Sequence, residues 1–158
     1  MPFYQFERQQ IVKTSIEELW NFIATPANLT RITPEHMGFQ VTSGTVPDKM
    51  YNGLIISYKV KPFPLFSTTW VTEITQIKEK HYFVDEQRIG PYKLWHHEHW
   101  LEPVKNGILM IDKVSYVPPL WIIGGMANTL FIRNKLKQIF DYRENAINQI
   151  FNDPGGQS

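Results

Sequence analysis

The sequence predicts an α+β fold, in which a curved antiparallel sheet of seven strands buries one face against a long C-terminal helix. Three observations predict it: a strand followed by two short helices, then six extended segments joined by short turns, then a long amphipathic stretch without Pro or Gly. Strands grouped ahead of a helix are typical of α+β domains, and short connections favour antiparallel pairing. We expect one domain over residues 1–152 and a disordered tail over residues 153–158.

The N-terminal part predicts one strand and two short helices. Tyr4 to Val12 is the first strand, and Thr14-Ser15-Ile16-Glu17-Glu18 then contains two overlapping capping boxes for a helix. The apolar residues of this helix recur at helical spacing: Ile16, Leu19, Trp20 and Ile23. Thr25-Pro26 supplies an N-cap and a first-turn proline for a second helix that ends near Arg31, before Thr33-Pro34.

The middle of the chain predicts six further strands. They are separated by short turn-forming sequences such as Pro47-Asp48 and Lys105-Asn106-Gly107, and the latter contains the Asn-Gly pair that favours a hairpin. The predicted strands are Phe39 to Thr45, Gly53 to Val60, Thr68 to Lys78, His81 to Arg88, Tyr92 to Leu101 and Ile108 to Tyr116.

The last predicted element is a helix from Met126 to Phe151. Its apolar stripe comprises Ile132, Leu136, Ile139, Phe140, Ile147 and Ile150. The apolar run before it, Val117 to Ala127, is too short and too interrupted by Pro and Gly to cross a bilayer, which needs about 20 residues. No integral membrane segment is therefore predicted.

Composition excludes several classes of function. Sixteen basic and fifteen acidic residues leave a formal charge of +1, which does not favour a nucleic-acid partner. The absence of cysteine excludes disulfides, thiolate nucleophiles and cysteine-bound zinc. The charged N-terminus lacks the apolar core of a signal peptide, so we expect a cytoplasmic protein.

The most informative segment is the strand that contains three of the five histidines, Leu94 to Leu101. Alternation along a strand puts Trp95, His97, His99 and Leu101 on one face, and Leu94, His96, Glu98 and Trp100 on the other. We expect His97 and His99 to point inward and His96 and Glu98 to point outward.

Three interpretations of the inward pair remain open. His97 and His99 can be packed strand residues with satisfied ring nitrogens, polar contacts in a ligand cavity, or metal ligands. A metal site needs a third ligand, for which Asp85 or Asp112 is a candidate, and no second recognisable ligand motif accompanies the pair. The motif alone therefore predicts neither a metal nor another cofactor.

A set of short motifs resembles the START-like proteins, the SRPBCC superfamily, which also includes birch-pollen-allergen-type carriers and polyketide cyclases. The resemblance covers the whole chain and is strongest to a bacterial branch of small ligand-binding and cyclase-like proteins. The motifs are Thr33-Pro34, Phe83-Val84-Asp85, Gly90-Pro91-Tyr92, Trp95-x-His97-x-His99, Met110-Ile111-Asp112, Val114-Ser115-Tyr116 and Pro119.

The resemblance implies a helix-grip fold with an elongated cavity between the sheet and the C-terminal helix. Its matching positions make a candidate ligand-binding group: Asp85, Trp95, His97, His99, Asp112 and Tyr116. The apolar segment Leu120 to Ile123, with Trp121, is a candidate lid, and the alternative is ordinary packing against the helix. For the two acids the alternative is turn capping, or solvent-exposed pairing with Arg88 or Lys113.

The preferred function is binding of a hydrophobic or amphipathic small molecule, with no catalysis assumed. The alternative is a cyclase- or dehydratase-like enzyme that uses His97 or His99, with Asp85 or Asp112, as general acid or base. Neither a nucleophile elbow, nor a phosphate-binding glycine loop, nor a dinucleotide fingerprint occurs in the sequence.

Overall fold

The computed structural model describes residues 3–119 and 126–153. The strands are β1 (Tyr4–Val12), β2 (Gln40–Val41), β3 (Ile55–Phe63), β4 (Phe66–Lys78), β5 (Tyr82–Ile89), β6 (Leu94–Val104) and β7 (Gly107–Val117). The helices are α1 (Ile16–Ile23), two 3₁₀ helices (Pro26–Ile32 and Glu35–Met37), α2 (Met126–Ile147) and a π-helical turn (Asn148–Asn152) that follows α2 directly.

The seven strands form one antiparallel sheet in the order β1-β7-β6-β5-β4-β3-β2. The predicted α+β fold is therefore confirmed. One face of the sheet packs against α2 through a cluster of buried residues: Val114, Tyr116, Ile132, Leu136 and Phe140. A larger cluster joins the sheet to α1 and to the end of α2, and its fully buried members include Val12, Leu19, Ile56, Ile74 and Ile147.

The second of the two predicted capping boxes begins α1. The Ser15 hydroxyl accepts a hydrogen bond from the Glu18 amide at 3.2 Å, and the Glu18 carboxylate accepts one from the Ser15 amide in return. The buried face of α1 is the predicted apolar one and contains Leu19, Trp20 and Ile23.

Two predicted elements are wrong in extent. The strand predicted from Phe39 to Thr45 is reduced to β2, because the successive amides of Thr42 and Ser43 both donate to the Ser57 carbonyl and interrupt the ladder. The last helix ends its α-helical part at Ile147 rather than at Phe151, and a short 3₁₀ helix that was not predicted follows Pro34.

The β6-β7 hairpin is longer than predicted and turns at the predicted Asn-Gly sequence. Val104 pairs with Gly107, and β6 continues through Pro103 although Pro cannot donate to a ladder. Pairing between β5 and β6 ends at Trp100, so Pro103 has a neighbouring strand on one side only. A proline is tolerated at such an edge.

Within the described parts of the chain, no helix is both long enough and apolar enough to cross a membrane. The candidate lid, including Trp121, and all of the predicted disordered tail except Asp153 lie outside the described residues.

Candidate functional site

A pocket of about 190 Å³ lies between the inner face of the sheet, α2 and the first 3₁₀ helix. Most of its lining is apolar, with aromatic side chains from Phe22, Tyr58, Trp70 and Phe83 among the contributors. Its charged and imidazole-bearing lining residues are Asp85, His97, His99, Lys135 and Arg143. The pocket is therefore an apolar cavity with a concentrated polar region.

Strand register brings the predicted inward residues of three adjacent strands together. Asp85 on β5 is directly opposite His97 on β6, and His99 on β6 is directly opposite Asp112 on β7. His97 and His99 are 6% and 4% exposed, whereas the His96 side chain is 31% exposed. The predicted facing of this strand is confirmed.

The four side chains form one buried hydrogen-bonded cluster. His97 Nε2 lies 3.0 Å from Asp112 Oδ1, and His99 Nδ1 lies 3.1 Å from the same oxygen. His99 Nε2 lies 2.7 Å from Asp85 Oδ2, while His97 Nδ1 is 3.6 Å from it, too far for a hydrogen bond. We call these four residues, Asp85, His97, His99 and Asp112, together with Arg143, which contacts two of them, the inner cluster.

Arg143 is the member of the inner cluster that sequence reasoning missed. Its Nη2 lies 3.4 Å from Asp112 Oδ1 and 3.3 Å from His99 Nδ1, and its side chain is buried. Arg143 follows Phe140 by three residues and precedes Ile147 by four, so it falls on the apolar stripe of α2. A cationic residue at an apolar position of the helix indicates a buried acidic partner, and this signal was present in the sequence.

Charge interactions within the inner cluster shift its pKa values in different directions. Burial alone would raise the pKa of Asp112, but Arg143 and the two histidines lower it well below its ordinary value. Burial would lower the pKa of His99, yet hydrogen bonds to Asp112 and Asp85 outweigh burial and raise it. The pKa of His97 is lowered by burial and by the neighbouring His99. The two histidine pKa values thus move in opposite directions, because hydrogen bonds to two carboxylates dominate at His99, whereas burial beside a second imidazole dominates at His97.

Only part of the predicted site lines the pocket. Asp85, Trp95, His97 and His99 do, whereas Asp112 and Tyr116 are buried outside the lining. Tyr116 packs at 6.5 Å from the Trp95 ring and at 6.0 Å from the Tyr92 ring, measured between centroids. Trp70, which was not predicted, stands edge-on to Trp95 at 5.2 Å and extends the aromatic wall.

The solvent-exposed alternative for the two acids is wrong. Arg88 pairs with Glu73 and Glu86 on the outer face, and Asp85 and Asp112 pair with the histidines instead. The outward His96 has its own partner, with its Nδ1 2.7 Å from Glu86 Oε1.

Comparison with known proteins identifies the fold. No protein-family model matches the sequence, and no curated protein sequence matches it. Among solved structures, Ara h 8.0201 aligns with a TM-score of 0.59 at 12% identity, over 92% of this chain and 98% of its own. A protein from Rhodobacter sphaeroides aligns with a TM-score of 0.68 at 13% identity, over 92% and 91% of the two chains.

The di-domain ARO/CYC StfQ from the steffimycin biosynthetic pathway aligns with a TM-score of 0.71 at 11% identity. The alignment covers 98% of this chain and 52% of StfQ, so this chain spans about half the length of that protein. At such low identities the likeness establishes the architecture, a curved seven-stranded sheet around a long C-terminal helix. The chain has the helix-grip fold, which it shares with these solved structures.

Proposed function

We propose that the protein binds a small aromatic or similarly apolar molecule that carries an oxygen acceptor, which accepts a hydrogen bond from the Tyr58 hydroxyl in the pocket lining. The observation that carries this proposal is an apolar pocket whose charged lining is concentrated at Asp85, His97, His99 and Arg143. A pocket of this kind, with few convergent polar groups, is the usual form of a small-molecule site.

The size of the pocket limits the ligand. A cavity of about 150 Å³ lined by apolar residues accommodates benzene. The pocket volume of about 190 Å³ therefore suits a molecule with one substituted ring or a short branched chain.

Three of the polar lining residues outside the inner cluster are engaged with the protein itself. The side chains of Asn28 and Thr33 donate to main-chain carbonyls, as does the hydroxyl of Thr72. The hydroxyls of Tyr58 and Tyr92 and the indole N–H groups of Trp70 and Trp95 also line the pocket, and none of them has a hydrogen-bond partner among the described residues. Burial, assisted by the charge of Asp85, raises the Tyr58 pKa, so the neutral phenol is available as a donor to a ligand oxygen.

Acetophenone and isopropylbenzene, which have similar shapes, test this proposal in calorimetric titrations with a chelator present. We expect acetophenone to bind with one-to-one stoichiometry, and several-fold more tightly than isopropylbenzene because its carbonyl accepts a hydrogen bond from the Tyr58 hydroxyl. Tyr58→Phe should remove up to about tenfold of the acetophenone affinity and leave isopropylbenzene unaffected, since one hydrogen bond contributes about 1 kcal/mol.

Two substitutions on α2 test whether the ligand occupies the pocket. Ile139 lines the pocket, whereas Leu130 is exposed on the same helix. Ile139→Trp should abolish binding of both molecules and Leu130→Trp should not. Equal effects of the two substitutions, or no binding of either molecule to the unmodified protein, would refute the proposal.

A second candidate function is acid-base catalysis at His97. Its Nε2 donates to Asp112, which leaves Nδ1 as the unprotonated nitrogen, and His97 lines the pocket. An imidazole held in this tautomer can remove a proton next to a substrate carbonyl.

Exchange of the acetophenone methyl protons in deuterated buffer, followed by NMR, tests this second function. We expect the metal-free protein to accelerate exchange over buffer, His97→Ala to lose the acceleration, and His96→Ala on the outer face to retain it. The same rate in buffer and in all three proteins would exclude catalysis at His97.

A further inference from the structure

We propose that Asp85, His97 and His99 form a three-ligand site for a divalent transition metal such as Zn²⁺ or Fe²⁺. One donor atom from each residue lies within 4.8 Å of the other two. Two histidine nitrogens and one carboxylate oxygen are a frequent ligand set for these ions. The metal site shares Asp85, His97 and His99 with the pocket lining, but metal binding does not require that an apolar ligand be bound.

The donor separations fit one ion. Donors held at about 2.0–2.2 Å from a metal are about 3.0–3.5 Å from each other. Asp85 Oδ2 is 2.7 Å from His99 Nε2 and 3.6 Å from His97 Nδ1, values that lie just on either side of this range. The two separations thus differ from this range by no more than about 0.3 Å.

The far nitrogens of both imidazoles already have the partner that metal-bound histidines require. His97 Nε2 and His99 Nδ1 face the same oxygen of Asp112, at 3.0 and 3.1 Å. A histidine that donates its remote N–H to a carboxylate presents its other nitrogen to the metal in a fixed orientation. This arrangement makes Asp112 a positioning residue and leaves Asp85 as the third ligand.

The charges of the inner cluster also suit a cation. Arg143 Nη2, 3.4 Å from Asp112 Oδ1, compensates the charge of that carboxylate. With both histidines neutral, Asp85, Asp112 and Arg143 leave one net negative charge for the ion. Without metal, His99 Nε2–H donates a hydrogen bond to Asp85 Oδ2, and a metal ion bound at Nε2 would displace that hydrogen to solvent as a proton.

Three protein ligands leave at least one coordination position open, and that position faces the pocket. Asp85, His97 and His99 all line the pocket, whereas Asp112 does not. The oxygen of a pocket-bound carbonyl, enol or carboxylate compound is thus the chemical group that would complete the coordination.

Untagged protein, freed of metal with a chelator and dialysed, is the material for the test. We expect Zn²⁺ to bind with one-to-one stoichiometry in calorimetry and to raise the melting temperature. Co²⁺ should give visible absorption bands with nitrogen and oxygen coordination. Asp85→Asn should weaken Zn²⁺ binding at least tenfold, and Asp112→Asn about 10- to 100-fold.

The outer face supplies a matched control. His96 lies between Glu86 and Glu98, and its ring nitrogens are 2.7 and 3.7 Å from oxygens of these two residues. This outer set of one histidine and two carboxylates has the same kinds of donor group, imidazole and carboxylate, as the proposed metal ligands. His96→Ala should leave the stoichiometry, the affinity and the Co²⁺ spectrum unchanged. Circular dichroism identifies any variant that fails to fold. If a variant does not fold, the stoichiometry of Zn²⁺ and Co²⁺ binding to the unmodified protein decides whether the metal site exists.

Two results would overturn the metal site: no stoichiometric binding of Zn²⁺ or Co²⁺ to the unmodified protein, or Zn²⁺ binding of unchanged affinity in a folded Asp85→Asn variant. Failure of the metal site is distinguishable from failure of the ligand proposal, because acetophenone binding is measured with chelator present.

Discussion

Replacement of Arg143 by methionine is expected to lower the free energy of unfolding by about 3–5 kcal/mol, the usual effect of removing one partner from a buried ion pair. The substitution keeps the length and the apolar stem of the side chain but leaves Asp112 as a buried carboxylate without its guanidinium partner. Part of the loss is offset because Arg143 Nε is itself buried without a hydrogen-bond partner among the described residues. Urea unfolding followed by tryptophan fluorescence measures the change.

The matched control for Arg143 is Lys137, which lies on the same helix and pairs with Asp141 at 2.8 Å in an exposed position. Lys137→Met should change the free energy of unfolding by no more than about 0.5 kcal/mol. In a double-mutant cycle, Arg143→Met combined with Asp112→Asn should be less destabilising than the sum of the two single changes. Additive effects, or a loss below about 1 kcal/mol for Arg143→Met, would contradict the coupling of these residues.

Replacement of Gly107 by alanine is expected to destabilise the protein by about 2–4 kcal/mol, since it combines backbone strain with a steric clash. Gly107 begins β7 with a φ of +143°, a region that L side chains rarely adopt. A Cβ atom at this position would be 2.3 Å from the main-chain oxygen of Val12 on the adjacent β1. Relief of that contact requires movement of one strand relative to the other.

Alanine substitutions at two other glycines distinguish the effect of backbone strain from that of the steric clash in the same experiment. A Cβ on Gly44 meets nothing within 4 Å and requires no positive φ, so Gly44→Ala should change stability by less than about 0.5 kcal/mol. Gly53 has a φ of +84° but equally open surroundings, and Gly53→Ala should destabilise by about 1 kcal/mol from strain alone. Any other order of the three variants in urea unfolding would show that the contact with Val12 is not the main cause.

Local pattern was sufficient for most of the strands and for the direction of the side chains on the strand that contains His97 and His99. β1 has the predicted bounds, and the inward facing of His97 and His99 follows from alternation, which depends only on the extended backbone. The strand predicted from Phe39 to Thr45 was not obtained correctly. Its shortening to β2 depends on the Ser57 carbonyl, a partner more than a dozen residues away in the chain.

Arg143 illustrates a different limit of sequence reasoning. Periodicity puts it on the apolar stripe of α2, but its partners Asp112 and His99 lie on β7 and β6. Which strand faces a given turn of a helix depends on how the helix crosses the sheet, and amphipathicity does not specify that crossing. The cation could be noticed in the sequence, whereas its role could not be assigned.

The amino-acid sequence by itself determined the order of the strands and α-helices, the α+β class and the inner face of the strand that contains His97 and His99, because these follow from hydrophobic periodicity, capping residues and turn residues that act over short distances. Only the tertiary structure decided the roles of the two acids. Asp85 is open to the pocket and Asp112 is buried behind both histidines, although each lies at an inward position of its strand. The difference arises from strand register and from the packing of Arg143 on α2, which are set by contacts between distant parts of the chain.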